Sequence, residues 1–417
     1  MPPRANRRAP MWTRRQLLAR AALAGVAVPV LGATGCSTRT PAGSGSGTTQ
    51  LTIASPDNPV TWPITDDNQP IEDGLAPERN TTLRLYNYAD YLAPAVIKAF
   101  EEKYDVDVSV STFNNADEAL AKVRSGAVPF DAYFPSYDQI GKLVSAGLIQ
   151  PLNHNYIPHI TDAWPVFTDP WYDGEWRYTV PYAIYTTGIG WRADLVDVDL
   201  EAYDNPYDVF WDTKYAGDLA VIDDFHTAMG MALLRNGITD LNTADADQLE
   251  VVRTDLLDLT EQTKPKVTIT MYNDLPGGQY GLTQMWSGDA VNAQYYLGGG
   301  AQKEDLRFWF PDSGKGMVDN DLMVILSTAK SPVLAHHFLD FILEAKNSIA
   351  NFAWTGYQPP QRSIDPERLV SQGYVPPNLR AAVVREEYFG SGYRLLELPP
   401  EVDAAWHQIW QEFKAGG

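Results

Sequence analysis

From Thr82 onward the sequence switches repeatedly between two hydrophobic periods, and this alternation limits the fold more than any other feature. Leu83 and Leu85 alternate with polar neighbours, and Pro94 then opens a stretch in which Val96, Ile97, Phe100 and Tyr104 share one side of a helix. Val106, Val108 and Val110 return to strand periodicity. Asn115, with Glu118 three residues later, makes a capping-box-like start for a helix carrying Leu120 and Val123, and Gly126 is placed to end it. The string FDAYF follows as a strand, and Ile140, Leu143, Val144 and Leu148 then recur at helical spacing. Strands separated by helices imply an α/β fold with a mostly parallel sheet covered on both faces.

The second half repeats the theme. DLAVIDDF is an apolar strand ending in Asp223 and Asp224, with a helix through Met229, Leu233 and Leu234 to Gly237. GLTQMWSGDA puts Trp286 at a strand end, and GKGMVDNDLMVIL brings Asp319 into a strongly apolar strand. The stretch from Leu334 to Phe352 reads as helix, closed at a Gly/Pro-marked turn by Tyr357. In such sheets ligands bind beyond the carboxyl ends of strands. The exits NYADY (87–91), within the stretch LYNYADYLAP, and PSYD (135–138) carry more aromatic and acidic groups than a turn requires.

The first fifty residues point to export. A basic stretch containing Arg14 and Arg15 precedes an apolar run from about Ala21 to Ala33, the layout of a signal peptide with twin-arginine character. That run is shorter than the roughly 20 residues of a spanning helix and contains Gly25 and Pro29. Ala33-Thr34-Gly35-Cys36 resembles a lipobox, with Ala33 where leucine is usual, and makes Cys36 the expected lipidation site. Signal 1–35, tether 36–50 and a Pro/Asp/Asn-rich extended arm 51–80 precede the alternating region. This architecture places the protein outside the cytoplasmic membrane, held by a lipid anchor.

Composition narrows the chemistry. Removing the signal's Arg4, Arg7, Arg8, Arg14, Arg15 and Arg20 takes the formal charge from -21 to -27. That balance opposes binding to nucleic acid or anionic lipid and suits either solubility or a cationic ligand. Cys36 is the only cysteine, which excludes an intramolecular disulfide and a cysteine metal cluster. The six histidines show no HExxH spacing, no GxSxG elbow occurs, and LGGGAQ lacks the Lys-Ser/Thr of a phosphate loop. Neither a metal, nor a cofactor, nor catalysis is expected. Asp223-Asp224 and Asp319-Asn320-Asp321 leave one enzymatic alternative, an exported hydrolase using an aspartate pair.

From Leu83 onward the chain resembles the spermidine/putrescine-binding proteins of bacterial polyamine ABC importers. The strings that carry the resemblance are LYNYADY, FDAYFPSYD, VPYAIYTTGIGW, WDTKYAGDLAVIDD, MWSGDA, VDN and TGYQPP, in that order. It implies a two-lobed periplasmic-binding fold of type II with ligand in the interlobe cleft, residues 81–182 and 319–357 forming lobe 1 and 183–318 and 358–417 lobe 2. Hinge crossings would lie near Tyr182, Asp319 and Gln358. Carried across by motif, Tyr88, Asp90 and Tyr91 fall in the first binding loop, Ser136 and Asp138 in the second, and Asp224 in the acidic loop of lobe 2. Trp286 matches a tryptophan wall, Asp319 the acid at the second crossing, and Tyr357 the aromatic after the late helix. The resemblance further implies a monomer that hands its ligand to a permease driven by a cytoplasmic ATPase.

Three positions depart from the family. Thr227 replaces a second acid after Asp224, Asp138 stands at an aromatic position, and Met317 occupies another aromatic position before Asp319. The physical logic of the ligand class is independent of the resemblance. A polyamine is a row of ammonium groups separated by methylenes, so it needs carboxylates at intervals and aromatic walls between them. A binder of another small cation or of an amino-acid-like solute is the alternative within the same class.

Overall fold

The computed structural model describes residues 52–416. The arginine pair, the apolar run and Cys36 lie outside these residues. Nine strands form one sheet in the order β2-β1-β3-β9-β4-β7-β5-β6, with β8 paired to β4 off this path. They are β1 (Thr82–Tyr88), β2 (Asp107–Phe113), β3 (Ala132–Tyr133), β4 (Val180–Arg192), β5 (Leu219–Ile222), β6 (Lys266–Thr268), β7 (Leu282–Trp286), β8 (Leu306–Trp309) and β9 (Met317–Ile325).

Within each lobe the neighbours run parallel: β1 with β2 and β3, and β5 with β6 and β7. The crossover helices make this possible, because parallel neighbours need a connection long enough to carry the chain back to the same end of the sheet. Helix Pro94–Tyr104 has proline in its first turn and buries Val96 and Phe100. Helix Ala116–Ser125 starts as its sequence predicts, the Asn115 side chain accepting from the Glu118 amide, and ends at left-handed Gly126. The stretch read as one helix from Leu334 to Phe352 is two, Pro332–Leu343 and Ala345–Thr355, because the backbone at Glu344 is extended (ψ 122°).

The lobes meet in an antiparallel ribbon. β4 pairs with β9, placing Tyr185 opposite Asp319 and Ala183 opposite Asp321 across a bulge at Pro181/Ala183. β9 then continues against β3, and β4 against β7 and β8. Every residue of β9 is buried. Separate apolar clusters flank the ribbon. One packs helix Pro332–Leu343 beneath β1 through Phe100, Phe338 and Leu339, and another packs helices Phe225–Arg235 and Pro400–Gly416 around Met229, Leu256 and Trp406.

Residues 52–81 contain two isolated bridges and no helix or strand. The arm is nonetheless fastened to the first lobe. The Trp62 indole donates to the Tyr172 carbonyl at 2.8 Å, Asn68 to the Ile149 carbonyl at 2.9 Å, and the Glu78 carboxylate accepts from the Leu334 amide at 2.7 Å at the start of a helix.

Asp131 ties this lobe together. Its side chain is fully buried and accepts from the amides of Arg84 (2.8 Å), Lys330 (2.7 Å) and Ser331 (2.9 Å), joining β1, β3 and the turn after β9. Asp131→Ala would leave three amides without an acceptor, each worth about 1–3 kcal/mol when buried. A loss of at least about 2 kcal/mol in urea unfolding is expected, and an unchanged midpoint would remove Asp131 from this role.

Candidate functional site

The site begins where β1 ends. Asp90 adopts a left-handed backbone (φ 54°), a conformation aspartate tolerates better than most residues, and the turn sends Tyr91 back into the protein. There the loop is pinned. The Tyr182 hydroxyl donates to the Tyr91 carbonyl, Asn351 donates to the Tyr182 hydroxyl at 2.8 Å, and the Ala93 amide donates to Asn351 at 2.8 Å.

Tyr91 forms one wall of an aromatic cage. Its ring stands edge-on to Tyr357, centroids 4.7 Å apart at 86°, and edge-on to Tyr88 at 5.8 Å. Tyr185 on β4 completes the cage, 5.8 Å from Tyr357 and 6.1 Å from Trp286 at the end of β7. Asp321 lies among these rings, 5 % exposed, and accepts from the hydroxyls of Tyr91 at 2.7 Å and Tyr185 at 3.3 Å. At the other edge Tyr357 donates to Asp289 Oδ1 at 2.8 Å, while Asp289 Oδ2 and Asn292 Oδ1 are buried without a partner. Asp90 sits exposed at the mouth, where Tyr272 and Tyr296 of the second lobe donate to it at 3.2 and 3.4 Å.

Two cavities share Tyr88, Asn114, Tyr185, Ile269 and Trp286. The smaller, about 90 Å³, holds the cage with Asp90, Asp289, Asp321 and Tyr357. The larger, about 290 Å³, holds Ser136, Asp138, Asp224 and Asp319. All nine residues singled out from sequence therefore line this one cleft.

Their circumstances differ. Asp138 accepts from the Ser136 hydroxyl, and the Ser136 backbone bridges to Asp321. Asp224 caps helix Phe225–Arg235 through Oδ1, which accepts from the Thr227 amide at 2.8 Å, and still borders the larger cavity. Asp319 is the most committed. It accepts from the Tyr137 hydroxyl at 2.5 Å, and the Arg394 guanidinium lies 4.0 Å away, itself stacked on Tyr137 at 4.5 Å and donating to Asn320 at 2.6 Å.

Residues 95–374 match the family model described as bacterial extracellular solute-binding protein, well over half of the chain. The chain belongs to that family. It is 26 % identical over 362 residues to the putrescine-binding periplasmic protein of Escherichia coli, covering 82 % of this chain and 93 % of the relative. It is 24 % identical over 349 residues to a putrescine/agmatine-binding protein of Pseudomonas aeruginosa, covering 81 % and 92 %. A solved structure described as a putative spermidine/putrescine ABC transporter from Listeria monocytogenes matches 80 % of this chain and 98 % of its own, with 25 % identity and a TM-score of 0.69. The substrate-binding protein of a spermidine/putrescine ABC transporter from Streptococcus pneumoniae matches with a TM-score of 0.64 over 81 % of this chain and 99 % of its own, at 24 % identity. These neighbours share the two-lobed α/β binding fold.

Electrostatics make the cleft of this solute-binding protein unusual. Burial pushes the carboxyls of Asp321 and Asp289 up to about 7, and those of Asp138 and Asp319 up to about 6, the last in spite of Arg394. Among the described residues, Asp321, Asp289 and Asp138 have no ion-pair partner. Such a group prefers either a proton or a cation.

Several cleft residues escaped the sequence reading. Asp321 shares the face of β9 with Asp319, a period-two relation that VDND displays openly. Asp289 lies three residues after Trp286, one helical turn on, within the quoted MWSGDA. Tyr137 and Arg394 are 257 positions apart, and no local signal joins them.

The raised carboxyls give a signed prediction. In the folded chain they still hold protons near pH 5, while the unfolded chain releases them near 4. The fold therefore binds more protons, and ligand-free stability falls as pH rises from about 4 through about 7. Urea midpoints should drop between pH 5 and 8 and drop less in Asp321→Asn; a midpoint that climbs over this range contradicts the assignment.

Proposed function

We propose that this protein is the solute-binding component of an ABC importer and that it closes its two lobes around a polyamine. One observation carries the reading: Asp321 is buried in a cage of Tyr88, Tyr91, Tyr185, Trp286 and Tyr357 with no lysine or arginine beside it. An alkylammonium group satisfies both halves of that environment. Its charge meets the carboxylate and attracts the ring faces, by roughly 0.5 to 2 kcal/mol per ring, while its methylenes pack on the aromatic surfaces. Asp289 Oδ2 and Asn292 Oδ1 offer further unmet acceptors at the cage edge. The relatives named for putrescine, agmatine and spermidine support the same class.

The alternatives fit less well. An amino-acid-like solute needs a cation for its carboxylate, and the residues lining the cage include no lysine or arginine. Each aspartate pair read from sequence has a member already engaged, Asp223 by Lys414 at 2.8 Å and Asp319 by Arg394 and Tyr137. Solute-binding proteins of this family deliver rather than transform their ligands.

In this reading the protein works outside the cytoplasmic membrane as a monomer, tethered through lipidated Cys36 after twin-arginine export, and passes its ligand to a permease with a cytoplasmic ATPase. Closure is a hinge motion about the crossings near Tyr182, Asp319 and Gln358, favoured by ligand that bridges the lobes.

Thermal melting tests it. Putrescine, spermidine or spermine should raise the melting temperature progressively with concentration; no shift with any amine, alongside a shift with an amino acid or sugar, sinks the proposal. Asp321→Asn should weaken amine binding by about tenfold or more, since truncating one partner of a desolvated ion pair costs about 2–5 kcal/mol. Affinity should also rise between pH 5 and 8 as the cleft carboxyls lose their protons, with proton release on binding measurable by calorimetry in buffers of different ionisation enthalpy.

A further inference from the structure

The cleft does not end at the cage. Beyond Tyr88, Tyr185 and Trp286 the larger cavity carries a second set of acids, three facing a lysine or arginine and a fourth a histidine. Asp319 faces Arg394 at 4.0 Å, Asp223 pairs with Lys414 at 2.8 Å, Asp403 lies 3.9 Å from Lys142, and Asp117 lies 3.6 Å from His407. Asp138, Asp224 and Glu397 line the same cavity and have no ion-pair partner among the described residues.

Glu397 stands out among these three. It lies in the irregular segment before helix Pro400–Gly416, is 6 % exposed, and its Oε1 has no hydrogen-bond partner. Its carboxylate packs against Gly141, where a Cβ would force Glu397 Oε2 to shift. Behind it lies a pocket of about 10 Å³ bordered by Ala54, Trp62 and Trp171. A buried carboxylate left without donors is costly, and either a proton or a donor arriving from the cavity offsets that cost.

Position completes the case. Desolvation pushes the Glu397 carboxyl up to about 8, eased by Lys142 and reinforced by Asp138, and Asp138 likewise raises Asp321 in the cage. Geometry agrees: Asp138 lies two residues after Ser136, whose backbone bridges to Asp321, and it borders the same small pocket as Glu397. Asp138 is also the position where the family resemblance led one to expect an aromatic residue, so this carboxylate belongs to the chain's own version of the cleft.

We propose that Asp138 and Glu397 form a distal cation subsite, so that the cleft selects a linear polyamine with three or more amino groups, one ammonium in the aromatic cage and the far one against these two carboxylates. This rests on the polyamine reading above and adds ligand length to it. A diamine seated in the cage leaves the distal acids unmet, whereas a triamine or tetramine meets both ends with methylenes lying along Trp286 and Tyr88.

Calorimetric titration of the full chain with putrescine, spermidine and spermine tests the subsite. The unmodified protein should bind the triamine and tetramine at least about tenfold more tightly than the diamine, and Glu397→Gln should reduce that ratio by about tenfold. Asp138→Asn should move the ratio in the same direction, and it decides the matter if Glu397→Gln fails to show a native circular dichroism spectrum. A diamine that binds as tightly as the longer amines, or a ratio unaltered by the substitutions, overturns the distal subsite and leaves the polyamine reading standing. Absence of binding by all three amines overturns both.

Discussion

The antiparallel pairing of β4 with β9 governs the rest of this molecule. It is the seam at which two parallel sheets become one continuous sheet, and its register sets Tyr185 opposite Asp319 and Ala183 opposite Asp321. A slip of one residue would reverse the faces of β9 and exchange both aspartates for Asn320 and its neighbours. Because β9 is buried along its whole length, that register is held by packing on both faces, and the carboxylates are forced into low dielectric. The acidity of the cleft follows from the strand pairing and not from any local preference of aspartate.

The cost of those buried acids is distributed in two ways. Asp319 is neutralised internally: Arg394 reaches it from the C-terminal segment, supported by stacking on Tyr137 and by Asn320. Asp321, Asp289 and Asp138 receive hydroxyl donors but no cation. Hydroxyls ease desolvation without cancelling charge, which leaves these three poised between holding a proton and holding a cationic ligand. Two acids of one strand, separated by Asn320, thus play opposite parts, one fastening the C-terminal segment to the seam and the other facing the cage.

The cleft also gathers groups from distant parts of the chain. Asp90 at the first strand exit meets Tyr272 and Tyr296 from the second lobe, and Asp117 meets His407. These contacts join the first strand exit and helix Ala116–Ser125 to segments more than 180 positions further along the chain. The arm of residues 52–81 is fastened through Trp62, Asn68 and Glu78, and its Ala54 and Trp62 also border the small pocket behind Glu397.

The sequence by itself determined where strands end and helices begin, because those signals are local: alternation at Leu83 and Leu85, proline at 94, the Asn115–Glu118 cap, glycine at 126. The strand exits drew attention to the binding loops, and the family resemblance then led to nine residues that line one cleft. What the sequence did not disclose was which acids keep their charge for a ligand. That depends on Arg394 meeting Asp319 across 75 positions, on Tyr91 reaching Asp321 across 230, and on Glu397 packing against Gly141 across 256. Pairing and desolvation are set by neighbours in space, and only the tertiary structure supplies those neighbours.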